Sequence, residues 1–277
     1  MSKSTLPHMI EAVDVNTLIQ ENQNISKDIR IIDLTQASCF LQQHVPGAVY
    51  LDYSWIVKVD PPRMGLLPEM ATLENIFNAY GITNRTHVIA YDDEGGGRAG
   101  RLLWTLASCG HNNYSMINGG IQAWLGDQLP TTNEIIWPIA TSGFSANINQ
   151  TVIADKTFIQ SNLDNEQVAI LDTRSPMEYN GTKVFAQRGG HIPGAVNYEW
   201  TQAMDKTNHL RLKPQQQILD ELATHGITQD KTIVVHCQTH HRSAYTFVML
   251  QALGFENVRG YAGSWSDWGN DASMPVE

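Results

Sequence analysis

The chemistry in this chain concentrates in Cys237-Gln238-Thr239-His240-His241-Arg242. Upstream, the apolar β-branched run 233–235 has the composition of a buried strand, and downstream 244–250 reads as a buried helix. A thiol is thereby set where a strand hands over to a helix, and in open α/β sheets ligands sit at the C-terminal ends of strands. The helix start turns unpaired N–H groups and a positive dipole end towards that turn. A free cysteine is mostly protonated at neutral pH, but helix N-termini and neighbouring cations lower its pKa, and the thiolate is the nucleophile. Cys237 is therefore expected to be a thiolate nucleophile in an anion-receiving loop. Arg242 offers a planar fork suited to oxyanions, with a tie to a neighbouring carboxylate as its structural alternative. His240 and His241 carry donors into the same pocket, and which of them faces a substrate stays open at this level.

The elements that must position this loop follow an order that occurs twice. Ile32-Asp33-Leu34 returns as Leu171-Asp172-Thr173, and His44-Val45-Pro46-Gly47-Ala48-Val49 returns as His191-Ile192-Pro193-Gly194-Ala195-Val196. Tyr80-Gly81-Ile82-Thr83 returns as His225-Gly226-Ile227-Thr228, and Gly119-Gly120 with Trp124 as Gly263-Ser264 with Trp268. Four matches in one order indicate an internal duplication. The expected fold is α/β, a tandem pair of domains, each a parallel sheet flanked by helices. The expected boundaries are 1–130 and 151–277, joined by a Thr-, Asn- and Ser-rich linker over 131–150, with 60–68 as a proline-bearing loop.

The repeat allows a comparison inside one sequence. Asp92 falls in the place of Cys237, within Asp92-Asp93-Glu94-Gly95-Gly96-Gly97-Arg98. Three carboxylates repel an anion and none is a soft nucleophile, so the N-terminal copy reads as catalytically inactive. A hard-cation site at these acids is conceivable on ligand type, against the simpler reading of a solvated acidic turn. Cys39 and Cys109 lie on apolar helical patterns and read as small core fillers. His44 and His191 recur in both copies, which points to a role in the turn.

Composition narrows the function classes. The 277 residues are 42% hydrophobic and 17% charged, as in ordinary globular proteins, and suit two domains. A net charge of −10 argues against a general nucleic-acid surface, which needs a basic footprint. No apolar run approaches the ~20 residues of a membrane span, and the segment Met1 to Pro7 lacks the apolar stretch of a secretory signal. Three widely spaced cysteines make no disulfide framework, so a reducing cytoplasm is the expected compartment.

The histidine-Pro-Gly-Ala phrases, the Cys237 loop and the closing Gly263-Ser264-Trp265-Ser266-Asp267-Trp268 together resemble the two-domain rhodaneses over nearly the whole chain. That resemblance implies an inactive N-terminal and an active C-terminal domain, and sulfur transfer by double displacement. Thiosulfate loads a sulfur onto Cys237, sulfite leaves, and cyanide or a thiol, small or on a partner protein, takes the sulfur from the persulfide. No cofactor is implied beyond this covalent carrier. The loop looks like that of a bacterial subgroup acting on thiosulfate and departs from the Cys-Gly-Ser/Thr-Gly-Val-Thr loop of mercaptopyruvate sulfurtransferases. Gln238, Thr239, His240, His241 and Arg242 are the implied substrate-binding residues of the loop. Arg174 matches a position that helps hold the donor, with a salt bridge to Glu178 as its structural alternative. Trp200 is a candidate pocket wall, while Arg188, Trp265 and Trp268 carry less weight, the tryptophans reading as packing.

Other readings use the same residues. A 3-mercaptopyruvate sulfurtransferase differs in donor, and a non-catalytic persulfide carrier or redox-responsive protein needs the same thiol. A cysteine phosphatase or arsenate reductase has five residues between Cys and Arg, against four here, a tighter ring that suits a sulfur better than a phosphate. A zinc site from His236, Cys237, His240 and His241 has acceptable ligand types but requires the strand and loop to fold back on each other.

Overall fold

The structure, a computed structural model, describes residues 6–21 and 29–277. The segment read as lacking a leader, Met1 to Pro7, lies in its first five residues outside the described residues. The first half of the chain runs β1 (Met9–Ile10), α1 (Ala12–Glu21), β2 (Ile29–Asp33), α2 (Ala37–Gln42), β3 (Ala48–Tyr50), β4 (Lys58–Asp60) and β5 (Arg63–Leu66). It continues with α3 (Met70–Ala79), β6 (His87–Tyr91), α4 (Gly97–Ser108), β7 (Tyr114–Ile117) and α5 (Gly120–Gly126). The second half opens with β8 (Ile153–Ala154), α6 (Lys156–Gln160), β9 (Val168–Asp172), α7 (Pro176–Tyr179), β10 (Val196–Asn197), β11 (Met204–Asp205) and β12 (Arg211–Leu212). It ends with α8 (Gln215–Thr224), β13 (Thr232–His236), α9 (Arg242–Ala252), β14 (Val258–Tyr261) and α10 (Ser264–Trp268).

Two compact units result. Unit 1 holds Met1–Ile56, Pro68–Ile148 and Asp205–Leu212, and unit 2 holds Val57–Leu67, Asn149–Met204 and Lys213–Glu277. Each contains one five-stranded sheet, in the order β1-β7-β6-β2-β3 in unit 1 and β8-β14-β13-β9-β10 in unit 2. Every pairing in both sheets is parallel. Parallel sheets are covered on both faces and their central strands are apolar throughout. Val88, Ile89, Ala90 and Tyr91 of β6 and Ile233, Val234 and Val235 of β13 are accordingly buried.

The duplication extends to side-chain contacts. His44 Nδ1 donates to the Phe40 carbonyl (2.7 Å) and the ring stacks on Phe40, while His191 Nδ1 donates to the Tyr179 carbonyl (3.0 Å) and stacks on Tyr179. The Trp124 indole N–H donates to the Pro130 carbonyl and that of Trp268 to Pro275. These residues repeat because each sheet needs the same turn packed and the same helix tied down.

Two segments differ from their sequence expectation. Residues 131–148 are not a free connection but are pinned to unit 1. Asn78 bonds the Phe144 amide and carbonyl, Glu74 accepts from the Ala146 amide, and the Asn147 amide reaches the Cys109 carbonyl. Polar side chains there satisfy backbone groups. The proline-bearing stretch expected as a loop forms the antiparallel hairpin β4–β5, with Pro61 and Pro62 at its tip where no ladder N–H is needed. Among the described residues no helix is long and apolar enough to cross a membrane.

Candidate active site

The turn between β13 and α9 is held at both ends by core residues, Val234 and Val235 on one side and the buried run from Ser243 to Leu250 on the other. His240 takes φ +53°, a left-handed conformation uncommon for a residue with a Cβ. Such a reversal brings successive amides to one side of the chain, the concave form that receives anions. Cys237 lies inside this turn, fully buried. Burial by itself pushes the thiol up, but the Arg242 charge, the Ser243 hydroxyl and amide, and the Thr239 amide outweigh it and bring Cys237 down to about 7. The opposite case is Cys109 in unit 1, which burial pushes up to about 12.

Helix α10 braces the loop backbone. Its Trp265 and Ser266 amides donate to the Cys237 and Gln238 carbonyls, both at 3.0 Å, and the Ser264 hydroxyl accepts from the Cys237 amide at 3.3 Å. Hairpin β4–β5 closes on the other side. The Met64 amide donates to the Ser266 hydroxyl at 3.1 Å. A Cβ on Gly65 would overlap the Thr239 carbonyl oxygen, lie 2.6 Å from the Thr239 carbonyl carbon and 2.9 Å from the Ala262 carbonyl oxygen. Gly65 is absent from the sequence reading because it lies far from Cys237 in the chain and belongs to no motif.

Arg242 stands at the first position of α9, but its fork is not open. Nη1 and Nη2 donate to the two carboxylate oxygens of Glu178, each at 2.8 Å. Burial disfavours the cation, while Glu178 and the Cys237 sulfur favour it more and push Arg242 up. Burial likewise disfavours the Glu178 carboxylate, but Arg242 and Ser175 bring it down to about 2. The fork is thus engaged by a carboxylate, the structural alternative for this arginine, and its charge bears on the sulfur. Glu178 was legible in principle, since Ser175-Pro176-Met177-Glu178 is a capping box and the box is formed.

Arg174 is likewise engaged within the protein. Its guanidinium is buried, bonds both Asp172 oxygens (2.6–3.0 Å) and the Gly190 carbonyl (2.8 Å), and covers the Trp265 ring. Its ion pair is with Asp172, while Glu178, named as its structural alternative, pairs with Arg242. His236 completes this buried group, with Nε2 3.6 Å from Asp172. Burial pushes its imidazole down, which keeps it neutral. Arg188 is spent on the carbonyls of Trp268, Asp271 and Met274.

The remaining loop residues divide. His240 is buried with Nδ1 2.7 Å from the Ser243 hydroxyl, so it supports the turn. His241 is half-buried and meets the edge of Trp200, which also packs on Tyr245, so these two form one wall beside the loop. Gln238 donates to the Phe185 carbonyl (3.2 Å) and Thr239 is half-buried. His236, His240 and His241 thus face Asp172, Ser243 and Trp200 and do not converge with Cys237 on one point.

The equivalent turn in unit 1 shows what the fold does without a thiol. Asp92 is fully buried, and its carboxylate accepts from the amides of Glu94, Gly96, Arg98 and Ala99 at 2.7–3.1 Å. Asp93 and Glu94 pair with Arg98. The carboxylates of the acidic turn are therefore engaged by backbone amides and by Arg98. The turn's nest is filled by its own side chain.

A sequence profile of the rhodanese-like domain matches residues 14–127 and again 156–271. The chain is 40% identical over 275 residues to a thiosulfate sulfurtransferase of Pseudomonas aeruginosa, covering 99% of this chain and 98% of that one. A thiosulfate sulfurtransferase of Azotobacter vinelandii is 41% identical over 274 residues, with the same coverage. Among solved structures, the anaerobic ergothioneine biosynthesis enzyme from Chlorobium limicola superimposes with a TM-score of 0.86 at 20% identity, over 98% of this chain and 70% of that one, a likeness of fold. With two matched domains on two sheets of one topology, this chain belongs to the rhodanese family and carries its domain in tandem.

Proposed function

We propose that this protein transfers sulfane sulfur from thiosulfate to cyanide or a thiol acceptor through a persulfide on Cys237. The observation that carries the reading is a buried thiol brought down to about 7 in an amide-lined turn beside a cation. The high identity to two thiosulfate sulfurtransferases along the full chain supports thiosulfate as donor. The Cys237 thiolate attacks the outer sulfur of thiosulfate. A sulfur–sulfur bond forms to Cys237, the bond to the sulfonate sulfur breaks, and sulfite leaves with the electron pair. Cyanide or a thiolate then attacks the terminal sulfur and Cys237 departs as the thiolate, restoring the starting state. Arg242 stabilises negative charge on sulfur in both steps, positioned by Glu178. His241 and Trp200 line the approach, with Gln238 and Thr239 on the loop rim.

In this reading the duplicated halves have different duties. The N-terminal domain, 1–130, is inactive because Asp92 occupies the nest, and the C-terminal domain, 151–277, performs the chemistry. Intact-mass measurement before and after thiosulfate tests the assignment. Wild type gains one sulfur mass and cyanide removes it, whereas Cys237→Ser gains none. A wild type that never gains the mass, or a serine variant that gains it equally, overturns the proposal.

A further inference from the structure

Unit 1 contains a cavity of about 510 Å³ lined wholly by its own residues. Its walls are aromatic, with Phe40, Tyr50, Trp55, Tyr80 and Trp137 among the lining side chains. Trp55 meets Tyr80 edge-on at 6.1 Å, Phe40 meets Tyr50 at 5.4 Å, and the Tyr80 hydroxyl donates to the Tyr50 carbonyl at 3.0 Å. Two of these rings are wet to an unusual degree, Trp137 being 83% and Trp55 52% exposed, while Phe40 and Tyr80 form the buried floor. A folded chain rarely leaves so much aromatic surface unburied in one concavity unless something covers it.

Among the described lining residues the one charged side chain is Asp52, and none is Lys, Arg or His. The Ser54 amide (2.8 Å) and hydroxyl (2.6 Å) both donate to Asp52 Oδ1 and hold its carboxyl below the usual range, so it is ionised at neutral pH. Its charge reaches the rings. After burial, Asp52 is the first charge that raises Tyr50, and with Tyr50 it raises Tyr80, which stands at about 12. Aromatic faces attract cations through their quadrupole, and a nearby carboxylate adds formal charge to that preference. An anion would meet Asp52 with no cation in the lining, since Arg98, whose charge also reaches Tyr50, stands outside it and is paired with Asp93 and Glu94.

We propose that this cavity binds a small organic cation with an apolar body, of the substituted-ammonium class, its charge beside Asp52 and its body against Trp55, Tyr80 and Trp137. The net charge of −10 favours the approach of such a ligand.

Benzyltrimethylammonium and its uncharged isostere neopentylbenzene test this on the full chain, read by tryptophan fluorescence. The cation binds at least ~10-fold more tightly than the isostere, the size expected of a partly desolvated cation–π and carboxylate contact. Asp52→Asn removes that preference while leaving affinity for neopentylbenzene and sulfur loading on Cys237 unchanged. Trp137→Ala weakens the cation by roughly fivefold or more. Three results overturn the proposal: neither probe binds at millimolar concentration, neopentylbenzene binds as well as the cation, or Asp52→Asn keeps the preference. Equal binding of the two probes would mark the surface as a plain apolar patch for a protein partner.

Discussion

Glu178 grips both terminal nitrogens of Arg242 at 2.8 Å, and the guanidinium so held lowers the thiol of Cys237. The carboxylate, the cation and the sulfur form one chain of charge across two helix starts, α7 and α9. A bidentate pair of this kind fixes direction as well as charge, so the cation stays by the sulfur.

Removing the cation should therefore change the thiol before it changes anything else. In Arg242→Ala the thiolate titration, followed by ultraviolet absorbance, moves well above 7. Sulfur loading at neutral pH falls at least ~10-fold, since each pH unit of pKa rise removes that much thiolate. Arg242→Lys keeps a charge without the fork and shifts the midpoint less. An Arg242→Ala midpoint still near 7 would show that the amides alone set it.

Proton linkage makes the same thiol a term in stability. Its ordinary value is 9.0 and its folded value about 7. Between these the unfolded chain holds a proton that the folded chain has released, so stability rises with pH through that window. The contribution is complete above 9, is lost as pH falls through 7, and amounts to at most about 3 kcal/mol at ~1.4 kcal/mol per pH unit. Urea unfolding under reducing conditions at about pH 6 and pH 9 should show this gain in wild type and not in Cys237→Ser. Equal gains in both would assign the pH dependence to other groups.

Gly65 leaves no room for a side chain against the Thr239 carbonyl. Gly65→Ala must displace either the hairpin or the loop whose Thr239 amide helps to lower Cys237. We expect a raised thiolate midpoint and a fall of roughly tenfold or more in sulfur loading, with little change in overall helix content by circular dichroism. An unchanged midpoint would mean that the hairpin yields and the loop does not.

Asp92 should matter to stability and not to chemistry. Four amides lose their acceptor in Asp92→Ala, and with buried donors unsatisfied the cost is about 2–4 kcal/mol in urea unfolding. Persulfide formation on Cys237 should persist in the folded fraction. A loss of loading in fully folded Asp92→Ala protein would contradict the division of duties between the two halves.

Much of this protein was readable along the chain because it depends on local pattern. Apolar β-branched runs ending at Tyr91 and His236, the Pro-Gly turns and the Gly-bounded helices recur in order, and the two parallel sheets follow from burial of those runs. The placement of Cys237 at a strand end before a helix was equally local. Tertiary structure alone decided where the cations point. Arg174 turned to Asp172, two residues away, and Arg242 to Glu178, because a guanidinium leaving water pairs with whichever carboxylate shares its buried space, and for Arg242 that choice depends on packing between elements 64 residues apart. The same holds for Gly65, set against the Cys237 loop by the return of a hairpin from the first half of the chain. It holds too for Asp92, whose four amide partners exist only once the turn has closed around it.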